Sequence, residues 1–290
     1  TATPASFIPL SNTTGFSSKT GLPALQSMPG TNGLYQNYKA LQYLYAAKTF
    51  NKTKIAGLIV ADHFSKYISD SVKNIAGGDT GYVYGRRFNQ KGVNSRFTTG
   101  ILLNSFLDNK KAFALTAAFY YQSGKDRDAQ NLSAYTSTVS LAYTKNKFTC
   151  TAGWDYVSGN DAFSSSTTNH RFDPLYGTPH KFWGMMDYFY VGTGSPTSGL
   201  SNPFAKVKYA SADKRFTAAL DYHYFALAEN QKNASGTAIN KYLGSEFDFV
   251  TTYALNKITM LEYGFSVMAA TRSMEYAKNI TPNTANLTGL

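Results

Sequence analysis

The sequence predicts an all-β protein, an antiparallel up-and-down transmembrane β-barrel with about 10–12 strands visible, and three observations carry that expectation. Short turns rich in Lys, Asn and Asp recur at Asn51-Lys52-Thr53-Lys54, Asp108-Asn109-Lys110-Lys111, Lys145-Asn146-Lys147, Ser211-Ala212-Asp213-Lys214-Arg215 and Asn256-Lys257. Each turn is flanked by aromatic-rich stretches in which apolar and polar residues alternate, the signature of a hairpin. Between successive turns lies a longer polar loop, and tight turns at one rim with long loops at the other are how outer-membrane barrels are strung.

Composition agrees. Tyr (22) and Phe (20) dominate the apolar residues beside abundant Gly, a mixture that suits strands better than helices. The mean hydropathy of −0.30 does not oppose a membrane protein, because a barrel with a wet interior needs apolar residues on only one face of each strand. No run approaches the roughly 18 apolar residues that a membrane helix requires. The opening Thr1-Ala2-Thr3-Pro4 has no basic start and no apolar run, as expected of a mature or trimmed chain. The net charge of +11 raises nucleic acid as a partner, but the basic residues lie singly or in pairs in turns and loops, without a stacking stripe. Nucleic acid is therefore not expected, and an interior attractive to anions is the sharper alternative.

Taken in order, the first hairpin pairs residues 38–50 with 54–64, and its facing is weakly defined because both parities carry apolar residues. The second pairs 96–107 with 112–122: Phe97, Ile101, Leu103 and Leu107 alternate with Thr98, Gly100, Leu102 and Asn104, and Phe113, Leu115, Phe119 and Tyr121 with Ala114, Thr116, Ala118 and Gln122. In the third, Tyr135, Val139, Leu141 and Tyr143 oppose Thr136, Thr138, Ser140 and Thr144, and the return strand sets Phe148, Cys150, Trp154 and Tyr156 against Thr149, Thr151, Gly153 and Asp155. Rows of hydroxyls could not fill a dry core without partners, so water inside is expected. Aromatic residues near the strand ends fit the two interfacial girdles. Cys150, the single cysteine, falls on the lipid side and forms neither a disulfide nor a metal cage.

The fourth hairpin covers 204–210 and 215–228, with Lys206, Lys208, Asp221 and His223 inward. The fifth covers 242–255 and 258–272, with Leu243, Phe247 and Phe249 outward and Glu246, Asp248, Glu262, Ser266 and Arg272 inward. A one-residue slip would put these charges in lipid, so the charges also fix the register. Residues 65–95, 123–132, 157–203 and 229–241 read as loops, residues 1–33 as loop or partial strand, and the whole as a single domain. If the tight turns are periplasmic, both ends of this run lie outside, so a further strand before residue 34 or upstream and a closing strand beyond Leu290 are expected.

The segment Leu175-Tyr176-Gly177-Thr178-Pro179-His180-Lys181-Phe182-Trp183-Gly184-Met185-Met186-Asp187-Tyr188-Phe189-Tyr190-Val191 is too aromatic for an exposed loop, and part of it is expected to fold into or over the lumen. This run resembles the alginate-export family of outer-membrane barrels, of the Bacteroidetes type. Tyr222-His223-Tyr224-Phe225, Lys241 to Glu246 and Ala270 to Tyr276 are similar to that family in order and spacing, over about residues 38 to 278. The resemblance implies a barrel of about eighteen strands, a pore narrowed by inward loops, and a polyuronate or related saccharide as cargo.

The candidate pore-lining residues are Arg96, Asp155, Lys206, Lys208, Asp221, His223, Glu246, Asp248, Glu262 and Arg272, and the candidate constriction residues are Tyr176, His180, Lys181, Trp183, Asp187 and Tyr190. The expected function is a porin-like channel in the outer membrane of a Gram-negative bacterium, passing a polar or anionic saccharide-type solute. Its expected contacts are outer-membrane lipid, lipopolysaccharide and other outer-membrane proteins. A non-transporting structural barrel is the alternative. A remoter one is an outer-membrane hydrolase using Asp221 and His223 with Ser245 or Ser266, although Ser245 falls on the outward parity and no G-x-S-x-G turn accompanies it. No cofactor, metal motif or phosphate loop is expected; Gly77-Gly78-Asp79 lacks the spacing.

Overall fold

Asparagine makes the tightest turns here because it tolerates the left-handed conformation that a two-residue connection demands. Asn51 and Asn146 sit at φ 53° and 55°, while Lys111 and Lys214 take the same role at 55° and 56° in the longer turns. Asp108 closes its turn by accepting hydrogen bonds from the backbone N–H groups of Phe113 (2.9 Å) and Lys110 (3.1 Å), and Asp213 accepts from that of Arg215 (3.1 Å).

The computed structural model describes residues 7–9, 38–73, 82–87, 90–174, 182–189, 195–278 and 288–289. In chain order the elements are β1 (Phe7–Pro9), β2 (Tyr38–Phe50), β3 (Thr53–Ser65), β4 (Ile68–Lys73), β5 (Tyr82–Arg87), β6 (Val93–Phe106), β7 (Phe113–Lys125), β8 (Asn131–Lys145), β9 (Phe148–Val157), β10 (Leu200–Ala210), β11 (Phe216–Ala226), β12 (Tyr242–Ala254), β13 (Met260–Ala270), α1 (Arg272–Ala277) and β14 (Thr288–Gly289). The ten long strands β2, β3 and β6 to β13, with the two-residue β14, form one antiparallel sheet in chain order, β3 pairing with β6 across the intervening β4 and β5. The five expected hairpins are all present. The stretch 65–95, expected as a loop, instead holds β4 and β5, which pair through Val72 and Val83 and form a separate small sheet with β1. Its β-branched and aromatic residues make strands too short to show a clear alternation.

The two faces of the large sheet differ as lipid and water would require. Ile59, Ile101, Leu141, Phe148, Trp154, Phe247 and Phe265 all lie exposed on the convex face, a continuous apolar surface that a water-soluble protein would not present. Aromatic rings pair across strands in two bands. Phe113 stacks on Tyr143 at 4.6 Å and Phe148 lies 5.1 Å from Tyr209 near the tight turns; Tyr135 stacks on Tyr156 at 5.6 Å and Tyr222 sits 4.9 Å from Phe247 toward the loops. From Tyr135 to Tyr143 the strand runs about 26 Å, and at the usual tilt of about 40° that projects to about 20 Å, close to the apolar band of an outer-membrane barrel. Cys150 is exposed on this outer face.

The concave face carries hydroxyls, small residues and charges. Two glycines there leave room for rings from the next strand: a Cβ on Gly100 would stand 1.9 Å from the Tyr120 ring, and one on Gly153 would stand 2.3 Å from that of Phe204. Toward the loop end the interior is filled. Leu132, Val157, Leu200, Phe225, Leu243 and Met268 from the strands pack with Phe172, Trp183 and Phe189 from the long connection and with Met274 of α1.

Leu243 corrects an expectation. It was assigned outward, yet it is fully buried in this cluster. The β11–β12 register slips between Phe225 and Ala226, so that Phe225 faces Gly244 and Ala226 faces Tyr242, leaving Leu243 as the extra residue of a bulge. Gly244, at φ 146°, supplies the backbone conformation the bulge needs.

Candidate functional site

The interior is built from three groups of polar side chains set around an inward-folded segment. Glu246 on β12 holds that segment: its Oε1 accepts hydrogen bonds from the backbone N–H groups of Met185 (2.6 Å) and Met186 (2.9 Å). Trp183, Gly184 and Asp187 take φ of 68°, 84° and 55°, which wraps residues 182–189 tightly around the carboxylate. Gly184 lies flat against Glu246, where a Cβ would come within 2.3 Å of Oε1. Phe189 packs on Phe225 at 5.0 Å and beneath the Lys278 ammonium at 4.7 Å, fixing the other end of the segment.

The second group lies at the loop ends of β3 and β6. Arg96 is bonded to Asp62 (3.2 Å) and to Asp173 (2.8 Å), with its guanidinium 5.1 Å from the Phe64 ring. Gln122 grips the main chain of Asp173 at both ends, donating to its carbonyl (2.7 Å) and accepting from its N–H (3.0 Å). The start of the long connection is thereby pinned to the wall.

The third group spans β9 to β12. Lys206 bonds Asp221 at 2.6 Å, Asp155 accepts from the Thr138 hydroxyl, and His223 shares a hydrogen bond with Asn202 at 3.1 Å while lying between the Phe204 and Phe225 rings. Asp248, opposite Asp221 on β11 and Ser266 on β13, is 2 % exposed and stands beside the Glu246 carboxyl on the same face of β12.

Of the candidate lining residues, Arg96, Asp155, Lys206, Asp221, His223, Glu246 and Asp248 come together on the concave side of the sheet. Lys208 and Glu262 share that face by register, opposite Thr149 and Thr252, but are exposed near the tight turns. Arg272 is the exception. The last strand ends at Ala270, and Arg272 is exposed at the start of α1, turned out of the sheet by Thr271, whose hydroxyl donates to the Tyr242 carbonyl at 2.8 Å. Trp183 and Asp187 belong to the inward segment, whereas Tyr176, His180, Lys181 and Tyr190 lie outside the described residues. Asp62, Gln122, Asn202 and Asp173 were missed as functional positions. Asp62 shares the parity of Leu58 and Val60, but the neighbouring apolar residues on both faces hid which parity points inward.

Of the side chains weighed for hydrolysis, Ser266 lies on the inner face opposite Asp248, while the others are engaged elsewhere. Asp221 is taken by Lys206 and His223 by Asn202, and Ser245 sits on the other face of β12, bonded to the Tyr222 and Tyr242 hydroxyls at 3.0 Å each.

Between the wall and the inward segment lies a cavity of about 600 Å³, lined by β2, β3 and β6 to β9 on one side and by Phe172, Pro174, Phe182 and Trp183 on the other. An up-and-down antiparallel sheet with an apolar outer face, a polar inner face and a folded-in segment is built like the wall of a transmembrane β-barrel, with β2 and β14 as its edges among the described residues.

No family model matches the chain, and no curated protein matches it, so the likeness to alginate-export barrels stands on the sequence motifs alone. Among solved structures the chain is similar to the toluene transporter TodX of Pseudomonas putida, at 11% identity and a TM-score of 0.36, covering 78% of this chain and 62% of that one. It is also similar to OccAB4 of Acinetobacter baumannii, at 15% identity and a TM-score of 0.41, covering 78% of this chain and 61% of that one. The chain therefore spans about three fifths of the length of these two structures.

Proposed function

We propose that this chain forms the wall and inner plug of a passive solute channel in a Gram-negative outer membrane. The observation that carries the reading is the division of the sheet: exposed Ile, Leu, Phe and Trp side chains outside, and inside an inward segment tied to Glu246 among charged and hydroxyl side chains. Passive diffusion asks for no catalytic group, only a wetted path of suitable width and charge.

The lumen charge supports a cation-preferring channel despite the basic chain. Arg96 and Lys206 are neutralised by Asp62, Asp173 and Asp221, Lys208 and Glu262 offset each other near the tight turns, and the carboxyls of Asp155, Glu246 and Asp248 lie on the same face without a matching number of cations. This favours a polar solute that is not a polyanion. Ser140, Thr149 and Thr151 offer a hydroxyl-lined surface that a neutral saccharide would use. The alginate-export relationship is supported by the Leu175 to Val191 run and the three further motifs.

Planar-bilayer recording of the purified protein tests the proposal. Discrete conductance with a reversal potential shifted toward the cation value is expected; a silent, folded barrel would instead favour a structural scaffold.

A further inference from the structure

The cavity beneath the inward segment differs from the rest of the lumen, and the difference begins in the sequence. On β2 and β3 both parities are apolar, where every other hairpin sets apolar residues against polar ones. A strand pair facing lipid on one side and water on the other has no use for a second apolar face. The register supplies the use. Leu41 and Tyr43 of β2 stand on the same face as Val60 of β3 and Ala118 of β7, and that face opens onto the cavity, where the hydroxyls of Thr98, Thr136 and Thr138 are set among mostly apolar neighbours. Phe182 and Trp183 of the inward segment close the opposite side. Asp155 stands at the border of this apolar space, with one carboxylate oxygen held by Thr138.

A cavity of about 600 Å³ falls within the range of small-molecule sites, which are mostly apolar with a few fixed polar groups. We propose that this cavity is a binding site for a compact aromatic molecule carrying an ammonium group, the ring held between Val60, Ala118 and Trp183 and the ammonium donating to Asp155. The wall is mostly carbon, with the hydroxyls of Thr98, Thr136 and Thr138 set into it. A ring matches most of that surface, whereas a saccharide carries more hydroxyls than the wall can partner, at a cost for each left unpaired. The carboxylate then selects the cation: a charge-assisted hydrogen bond is stronger than one between neutral groups. The role of this site in transport rests on the channel reading above; occupancy of the site does not.

The chain contains two tryptophans, and only Trp183 lines the cavity, Trp154 lying on the lipid face. A Trp154→Phe protein therefore carries one emitter at the proposed site. Titration with 4-bromobenzylamine, whose bromine quenches indole emission on contact, is expected to give saturable quenching. Ala118→Phe, which fills the cavity, is expected to weaken binding at least about tenfold. Asp155→Asn is expected to weaken the amine by about tenfold while leaving 4-bromotoluene unchanged. Anomalous diffraction from the bromine gives its position independently of any variant's folding, and density between Val60 and Trp183 is expected. Absence of saturable quenching, quenching indifferent to Ala118→Phe in a folded barrel, or bromine located elsewhere would each overturn the proposal. Saturable quenching in a protein that conducts nothing would leave the site standing and remove the channel instead.

Discussion

Replacing Glu246 with alanine removes the carboxylate that accepts the Met185 and Met186 N–H groups, at 2.6 and 2.9 Å. Hydrogen bonds to a charged group are each worth about 1.5–3 kcal/mol net, so the segment 182–189 is expected to open more easily by about 3 kcal/mol, or about 150-fold in population. The stability of the whole barrel is expected to respond less. Glu246 shares the interior with the buried Asp248, and removing one of two neighbouring buried carboxyls relieves their repulsion. The assay is amide exchange at Met185 and Met186 followed by mass spectrometry, with single-channel conductance recorded on the same preparation. Faster exchange confined to this segment, with larger or more frequent openings, is expected of Glu246→Ala. Unchanged protection and conductance in a folded variant would refute the reasoning that this carboxylate holds the plug.

Arg96→Met removes the guanidinium that bonds Asp173 and the buried Asp62, and is expected to destabilise the barrel by about 3–5 kcal/mol in urea titration, with partial recovery when Asp62→Leu is added. Gly244→Ala forces a side chain into φ 146° and within 2.5 Å of the Ala269 carbonyl, so a loss of about 1–3 kcal/mol is expected by the same measurement. The Asp108 carboxyl is held below its ordinary range mainly by the Phe113 N–H, and that of Asp213 mainly by the Ser211 hydroxyl. A depressed folded value means that the stabilisation is complete above the unfolded carboxylate value of about 4 and disappears as pH falls through the folded value. An Asp108→Asn/Asp213→Asn protein is therefore expected to lose less thermal stability than the parent between neutral and strongly acidic pH.

The strands of this barrel could be read from the sequence because the environments differ so sharply. Thr136, Thr138 and Ser140 against Val139, Leu141 and Tyr143 leave one register possible, and turn residues such as Asn51 and Asn146 bound the strands to within a few positions. Local alternation does not reveal an inserted residue, so Leu243 could be assigned inward only once the slip opposite Phe225 and Ala226 was seen. Long-range pairing was equally hidden. Arg96 was legible as an inward cation, but its partners Asp62 and Asp173 are 34 and 77 residues away in sequence. Alternation also assumes that a strand continues: Arg272 has the inward parity of β13, yet the chain turns into α1 at that point.

The two ring-over-glycine contacts inside the sheet bear on its curvature. Side chains on the inner surface of a curling sheet are crowded together, and the bend can tighten only where one of them is absent. Gly100 and Gly153 supply that absence at points over which Tyr120 and Phe204 lie, so each ring takes the volume its neighbour gave up. Adding a methyl group at either glycine would push the strands apart on the inside and flatten the arc. The radius of the wall, and with it the space left for the inward segment, is thus set partly by two residues that have no side chain.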